Sequence, residues 1–352
     1  MIETGVSVYL GLKEYNLKDN IEYLKKCKNL GIDNVFSSLH INEAINNTSL
    51  DEFTIQAREC KELGLKLNVD ISKPTFEKIN VPEGIYRLRL DYGFSKEEIV
   101  EMSNIAPYLI ELNASTINEE YVKELFHLGA NTSRLSFSFN FYPKKYTGHD
   151  SKTVYEKIEL IHKYGFKVYA FVRSFYGLRP PLYEGLPTIE NHRYESLTYS
   201  VEELTAMGID GLYFGDAYAS DDEIKELVSL SKEDNLIVEV YSLDDDAVNS
   251  LTSVYVNRRD FNDYLIRIGT LSRNTEVKPN NVCVTPRHKL DLTIDNSLFK
   301  RYSGEINIVL QDLPSDERCN LIGRIYTSDF VLEKIKNCEH FKFKVVSKDN
   351  LC

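Results

Sequence analysis

Apolar, strand-like runs alternate with amphipathic, helix-like segments at short and regular spacing through the first two thirds of the chain, and this rhythm leaves few folds open. The runs are Val6 to Leu10, Asn34 to Ile41, Lys66 to Ile71, Tyr86 to Leu90, Leu109 to Asn113, Arg134 to Asn140, Lys167 to Val172 and Gly211 to Gly215. Helical periodicity over Leu17 to Leu30 and Ser49 to Leu63 stops at Gly31 and Gly64, and a helix opening near Asn118 closes at Gly129. Ser95 to Glu98 reads as a capping box, and Ser220 to Glu223 caps a last helix that runs to about Leu230. Strands that each feed a helix build a parallel sheet, and eight such units predict an α/β fold of the (β/α)8 TIM-barrel type. A doubly wound open sheet is the competitor. It would carry a Gly-rich phosphate loop after an early strand, and no G-x-G-x-x-G or P-loop occurs.

After about Leu243 the pattern changes, so the expected division is a barrel over 1–240 and a small β-rich domain over 241–352. Asp244 to Ala247 reads as a solvated turn or helix cap, and 254–267 is helix-like. Short runs at Leu290 to Ile294, Glu305 to Leu310, Leu321 to Tyr326 and Phe341 to Val346 then predict a compact barrel or sandwich.

Composition excludes several classes of function. A net charge of -12, with no sustained basic stretch, argues against nucleic acid as a partner, so any phosphate must be held by a local cluster. With 42% hydrophobic and 27% charged residues the 352-residue chain is an ordinary globular one. The N-terminal residues have no basic segment leading into a long apolar one, and no eighteen consecutive apolar residues occur, so no membrane is expected and the expected location is cytoplasmic. The six cysteines, Cys27, Cys60, Cys283, Cys319, Cys338 and Cys352, lack metal-ligand spacing and read as free thiols. Tryptophan is absent, which leaves tyrosine to stack against a sugar ring.

Polar side chains gather where a barrel would place its active mouth, at the carboxyl ends of the strands. They are Ser37, Ser38 and His40, then Asp70 and Ser72, Asp91, Glu111 and Asn113, Asn140, Arg173 and Asp216. The loop from Arg173 to Arg193 is overlong and adds Arg179, Glu184, Glu190 and His192, stiffened by Pro180, Pro181 and Pro187. A mouth dominated by the carboxylates Asp70, Asp91, Glu111, Glu184 and Asp216 fits glycoside hydrolysis, which needs one protonated acid and one ionised partner. The same groups could hold a divalent metal, but no H-x-H or H-E-x-x-H spacing supports one. A pyridoxal phosphate barrel also ends in a β-rich domain, and its Schiff-base lysine would have to be Lys13, beyond the expected end of the first strand. The expectation is therefore no metal and no cofactor. Lys144, Lys145, Arg173, Arg179 and Arg193, with hydroxyl or N–H donors at Thr147, Gly148 and Thr188, would make a local anion site.

The runs S-L-H-I, L-R-L-D-Y-G-F, E-L-N-A-S-T, N-F-Y-P-x-x-Y-T-G, P-L-Y-E-G-L-P-T-I-E-x-H-R and F-G-D-A resemble those of the bacterial 6-phospho-N-acetylmuramidases of the MupG type, long described as uncharacterised outer surface proteins. The likeness continues through L-T-I-D-N, R-Y-S-G-E and N-L-I-G-R-I, and so covers nearly the whole chain. It implies a TIM barrel followed by a cyclophilin-like β domain, in a cytoplasmic glycoside hydrolase of peptidoglycan recycling. The implied reaction cleaves 6-phospho-N-acetylmuramyl-β-1,4-N-acetylglucosamine, delivered by phosphotransferase uptake. Asp91, Glu184 and Asp216 are then the first catalytic candidates, with Asp70 and Glu111 behind them. Arg179, Arg193, Lys144 and Thr188 are expected on the 6-phosphate, Tyr142 or Tyr183 against the sugar ring, and Asn113, Asn140 and His40 among the other substrate contacts. Two departures, Phe139 where the family pattern has histidine and Pro180 where it has glycine, leave room for another 6-phosphodisaccharide. A sugar-phosphate-binding protein without catalysis is the alternative of a different class, and the sequence allows a homo-oligomer.

Overall fold

The strands β1 (Glu3–Ser7), β2 (Asn34–Ser38), β3 (Lys66–Ile71), β4 (Ile85–Leu90), β5 (Leu109–Asn113), β6 (Leu135–Ser138), β7 (Lys167–Val172) and β8 (Gly211–Phe214) pair in chain order, all parallel. β8 returns to β1 through Glu3, Thr4 and Gly5, so the sheet closes into a TIM barrel. This computed structural model describes residues 2–12, 14–39, 47–270, 276–280 and 286–346; Lys13, His40, Ile41, Cys283 and Cys352 lie outside them. The first strand begins at Glu3, earlier than the expected Val6, because its register is set by the partners on both sides.

Helices follow the strands as α1 (Leu17–Asn29), α2 (Asn47–Glu62), α3 (Lys73–Phe76), α4 (Lys96–Ile105), α5 (Glu119–His127), α6 (Ser151–Lys163), α7 (Leu197–Met207) and α8 (Asp221–Lys232). Sequence chemistry sets their starts. Ser95 and Glu98 form a reciprocal capping box on α4, while Asn16, Asn118 and Asp150 cap α1, α5 and α6 with side-chain oxygens. Gly31, Gly64 and Gly129, the expected stops, all have positive φ. On α6 the buried residues Val154, Ile158 and Ile161 recur every three or four positions and face the barrel. The third unit is the exception, since α3 is a single turn.

Inside the barrel, the composition is uneven. Phe36, Tyr169, Phe171 and Tyr213 form a buried aromatic cluster, with Phe141 packed on it. Gly5 and Gly211 make room for it, because a Cβ at either would lie 2.2 Å or 2.6 Å from the rings of Tyr213 and Tyr169. Next to the cluster, and touching it at Tyr169, the interior is ionic. Alternation along β4 turns Arg87 and Arg89 inward, where they meet carboxylates of β5 and β3.

The two compact units divide between Lys232 and Glu233. A boundary after residue 240 would cut β9 (Leu236–Ser242), which is hydrogen-bonded to strands on both sides within the second unit. The rest of that unit is α9 (Asp245–Asn249), β10 (Leu265–Thr270), β11 (Asp291–Asp295), β12 (Glu305–Val309), β13 (Cys319–Tyr326), α10 (Asp329–Lys336) and β14 (Phe341–Val346). Its strands lie in one curled, mixed sheet of order β10-β12-β11-β13-β9-β14, antiparallel except for β9 and β14. The helix expected over 254–267 is absent. Asn262 instead turns the chain by accepting the N–H groups of Tyr264 and Leu265, and β10 then pairs with β12. Cys27, Cys60 and Cys319 are buried free thiols.

Candidate active site at the barrel mouth

Arg179 carries the cation best placed for a ligand. Its guanidinium lies 4.6 Å from the ring centroid of Tyr9 and 5.2 Å from that of Phe141, and no described carboxylate pairs with it. Tyr9 follows β1, Phe141 follows β6 and Arg179 follows β7, so three loops converge at the carboxyl end of the barrel. Burial pushes the Tyr9 phenol up to about 12 despite the neighbouring Arg179 charge, and its hydroxyl donates to the Gly215 carbonyl at 2.6 Å. A cation seated on aromatic faces and lacking an acid is a ready site for an anionic group.

Beside it runs a buried relay that sequence reasoning did not single out. Arg89 donates to Asp70 Oδ1 at 2.9 Å, to Ser138 Oγ at 2.8 Å and to Asn140 Oδ1 at 2.6 Å. One residue pair deeper, Arg87 donates to Glu111 Oε2 at 3.0 Å and to the Tyr169 hydroxyl at 3.1 Å. Glu111 is thereby locked inside the barrel with 4% of its side chain exposed, against 13% for Asp70. The available signal was the R-L-R of β4, two cations at period two within an apolar strand.

The overlong loop is tied down by the charged residues expected to bind substrate. Arg193 is fully buried and its guanidinium N–H groups are all engaged. Nε and Nη2 reach the two oxygens of Glu190 at 2.7 and 2.9 Å, Nη1 reaches the carbonyls of Glu184 and Gly185, and Nη2 also reaches that of Tyr142. Burial would raise the Glu190 carboxyl, but Arg193 and the N–H groups of Tyr146 and Gly148 outweigh it and hold it near about 2. Thr188 is equally engaged, since its hydroxyl accepts from Phe171 N–H and donates to the Asn140 carbonyl. Arg193 and Thr188, both expected on the phosphate, thus have their side-chain donors engaged within the protein.

Asp216, expected among the catalytic carboxylates, also receives the backbone of this loop. It has no exposed surface, and its carboxylate accepts the N–H groups of Ser174 at 2.9 Å, Leu186 at 3.1 Å and Arg179 at 3.4 Å, which ties the first half of the loop to the segment just after β8. Burial pushes its carboxyl above the usual range, opposed by those N–H groups and by Arg173.

The remaining expected residues keep surface. Glu184 is about one third exposed and accepts from Lys145 N–H at 3.1 Å, with Lys145 Nζ 3.8 Å away. Asp91 is exposed and, with Asn113, Phe94, Thr116, Asn118 and Tyr121, lines a cavity of about 250 Å³. Asn113 also accepts from Ser115 N–H. Lys144 is exposed, Tyr142 bonds His149 at 3.0 Å, and Tyr183, half exposed, reaches Glu14. Phe139, between the inward-facing Ser138 and Asn140, is fully buried with its ring edge-on to His149. That position therefore faces away from the mouth. His40 lies outside the described residues. Among the described residues no group of three or more His, Cys, Asp and Glu side chains could hold a metal ion, and no helix is long and apolar enough to cross a membrane.

Residues 4–229 match the family described as 6-phospho-N-acetylmuramidase, N-terminal, and residues 235–344 match 6-phospho-N-acetylmuramidase, C-terminal. Among solved structures, a conserved protein of unknown function from Enterococcus faecalis is similar at 31% identity with a TM-score of 0.73, over 99% of this chain and 97% of that one. An uncharacterised B. cereus protein is similar at 25% identity with a TM-score of 0.83, over 97% of this chain and 99% of that one. Comparison with curated proteins finds no match.

Proposed function

Because the chain belongs to the 6-phospho-N-acetylmuramidase family, a family of glycosidases, we propose that its barrel mouth cleaves 6-phospho-N-acetylmuramyl-β-1,4-N-acetylglucosamine. The products are N-acetylmuramic acid 6-phosphate and N-acetylglucosamine, and the setting is peptidoglycan recycling. A sugar phosphorylated during uptake arises inside the cell, so the same reading makes the protein cytoplasmic and takes the curled sheet as the family's cyclophilin-like domain.

The observation that carries this reading is Arg179, a cation held on Tyr9 and Phe141 at the mouth and without an acid partner among the described residues. It binds the phosphate, with Lys144 alongside. Arg193, Thr188 and Asp216 act at one remove, by fixing the loop that presents Arg179 and Glu184. Of the five expected carboxylates, Asp91 and Glu184 keep open surface and Asp70 is largely buried with a small exposed part, and the acid and its partner belong to this set. Asp70 differs from the other two in being held by Arg89, which donates to its Oδ1 at 2.9 Å.

Incubating the purified protein with the 6-phosphorylated and the unphosphorylated disaccharide tests this. Release of N-acetylglucosamine from the phosphorylated sugar alone is expected. Arg179→Met should lower kcat/KM on that substrate about 10- to 150-fold, the range of one charged hydrogen bond, without changing any residual rate on the other. Equal cleavage of both sugars would remove the phosphate assignment, and binding without release would turn the protein into a sugar-phosphate sensor.

A further inference from the structure

A second concave site lies where the loop after β7 meets α1 and the start of α8, and none of the roles given above uses it. It is a cavity of about 440 Å³ whose walls include Tyr23, Tyr176 and Tyr218, a size within the range of small-molecule sites. The three rings differ in status. Tyr23 and Tyr218 are fixed against each other at 4.3 Å between centroids, and Tyr15 meets Tyr218 edge-on at 4.8 Å. Their hydroxyl groups are engaged as well, Tyr218 donating to Asn20 and Tyr23 accepting from Ala219 N–H. Tyr176, by contrast, is 70% exposed, so a large apolar ring is held open beside two that form a wall.

Charge decides what this cavity can take. Lys26 is paired with Asp221, so its one cation is already neutralised, and Glu22 adds a further negative group on the rim. An anionic ligand is disfavoured there, in contrast to the Arg179 site. A neutral ring with hydroxyl groups suits it, stacking an apolar face on Tyr176 and bonding at its edges.

The two sites are joined by a short stretch of backbone. Gly177 and Tyr218 exchange N–H···O bonds at 3.1 Å in both directions, and the Tyr15 hydroxyl donates to the Leu178 carbonyl. Residues 176 to 179 therefore run directly from the tyrosine cavity to the guanidinium. Glycine is needed at 177, since a Cβ there would lie 2.5 Å from Tyr218 Cβ. From these contacts the geometry points to a neutral-sugar subsite in the cavity of Tyr23, Tyr176 and Tyr218, which holds an uncharged N-acetylhexosamine ring on the leaving-group side while Arg179 holds the phosphorylated one. The inference rests on the glycosidase reading for the word leaving-group, but the binding claim stands by itself.

Two measurements test it on the full chain. Titration of free N-acetylglucosamine, followed by the aromatic NMR signals, should show saturable binding to the wild type and to Tyr176→Phe, and binding weakened about 3- to 10-fold in Tyr176→Ala. In kinetics, Tyr176→Ala should raise KM for the phosphorylated disaccharide by the same factor. It should leave kcat/KM for the methyl glycoside of N-acetylmuramic acid 6-phosphate unchanged, because that substrate has no second ring. No binding of N-acetylglucosamine by the wild type, or equal binding by Tyr176→Ala, overturns the subsite, as does an equal loss on both substrates. If the wild type cleaves neither substrate, the glycosidase reading fails, and the titration still judges the cavity.

Discussion

Arg89 shows how a buried charge can set the state of a site at the scale of a single residue. Its guanidinium holds Asp70, Ser138 and Asn140 together inside the barrel, and the pair with Asp70 is nearly out of solvent. Removing one member of such a pair leaves the other buried without a partner, which costs about 3–5 kcal/mol. Arg89→Met should therefore destabilise the protein by that amount in urea unfolding and abolish most activity. Adding Asp70→Asn should recover part of the stability, because the orphaned charge is gone; a double variant no more stable than the single one would show that the two do not act as a pair. Glu190 makes a complementary case that depends on pH. Its carboxyl is held near about 2, below the unfolded value of about 4.3, so its contribution is complete above the unfolded value and is lost as pH falls from about 4.3 toward about 2. Glu190→Gln should lower stability at neutral pH and flatten the loss on acidification over that window. Denaturation followed at a series of pH values would show whether wild type and variant converge in acid.

The 173–193 loop is an element defined less by its own backbone bonds than by the side chains that receive them. Asp216 Oδ2 accepts the N–H groups of Ser174 and Leu186, twelve residues apart in the chain, and so closes the loop at its neck. An amide at this position offers one acceptor where two oxygens are used and turns N–H donors toward N–H donors. Asp216→Asn should raise amide hydrogen exchange at Ser174, Arg179 and Leu186 well before other segments, and lower kcat with it. Unchanged exchange at those three amides would return Asp216 to the list of groups that act on substrate. Such roles were hard to read in advance for a physical reason. Period and caps announce an element, and so the eight strands, the Ser95 to Glu98 box and the stops at Gly31, Gly64 and Gly129 were legible from local chemistry. Residue type alone cannot say whether a strand-end carboxylate faces the ligand or receives the backbone of a distant loop, which is why Asp216, Arg193 and Thr188 were expected on the substrate. Arg179 could be singled out because it stands beside prolines in an overlong loop, and its part in binding is the proposal made above. Arg89 was passed over because a cation within an apolar strand was read only as part of the run. The apparent helix over 254–267 failed because the Asn262 turn and pairing of β10 with β12 outweighed a local periodicity.

The division of the whole chain follows from where a strand finds its hydrogen bonds. β9 continues directly from the barrel's last helix in sequence, yet its partners are β13 on one side and β14 on the other, which makes it an interior strand of the second sheet. Without it β14 has no neighbour in that sheet, and Val238 and Val240, both fully buried, are lost from its core. A fragment beginning at Glu233 should therefore fold, with cooperative thermal unfolding and dispersed amide NMR signals. One beginning at residue 243 should not, because it must leave two strand edges unpaired and an apolar face uncovered. The barrel obeys the reciprocal rule. A fragment ending at Lys232 keeps every strand of the closed sheet, whereas one ending at residue 240 adds most of an orphaned strand, Leu236 to Val240, and should aggregate more readily at equal concentration. Light scattering of the two barrel fragments would decide this, and equal behaviour would mean that β9 is not committed to its sheet by pairing alone.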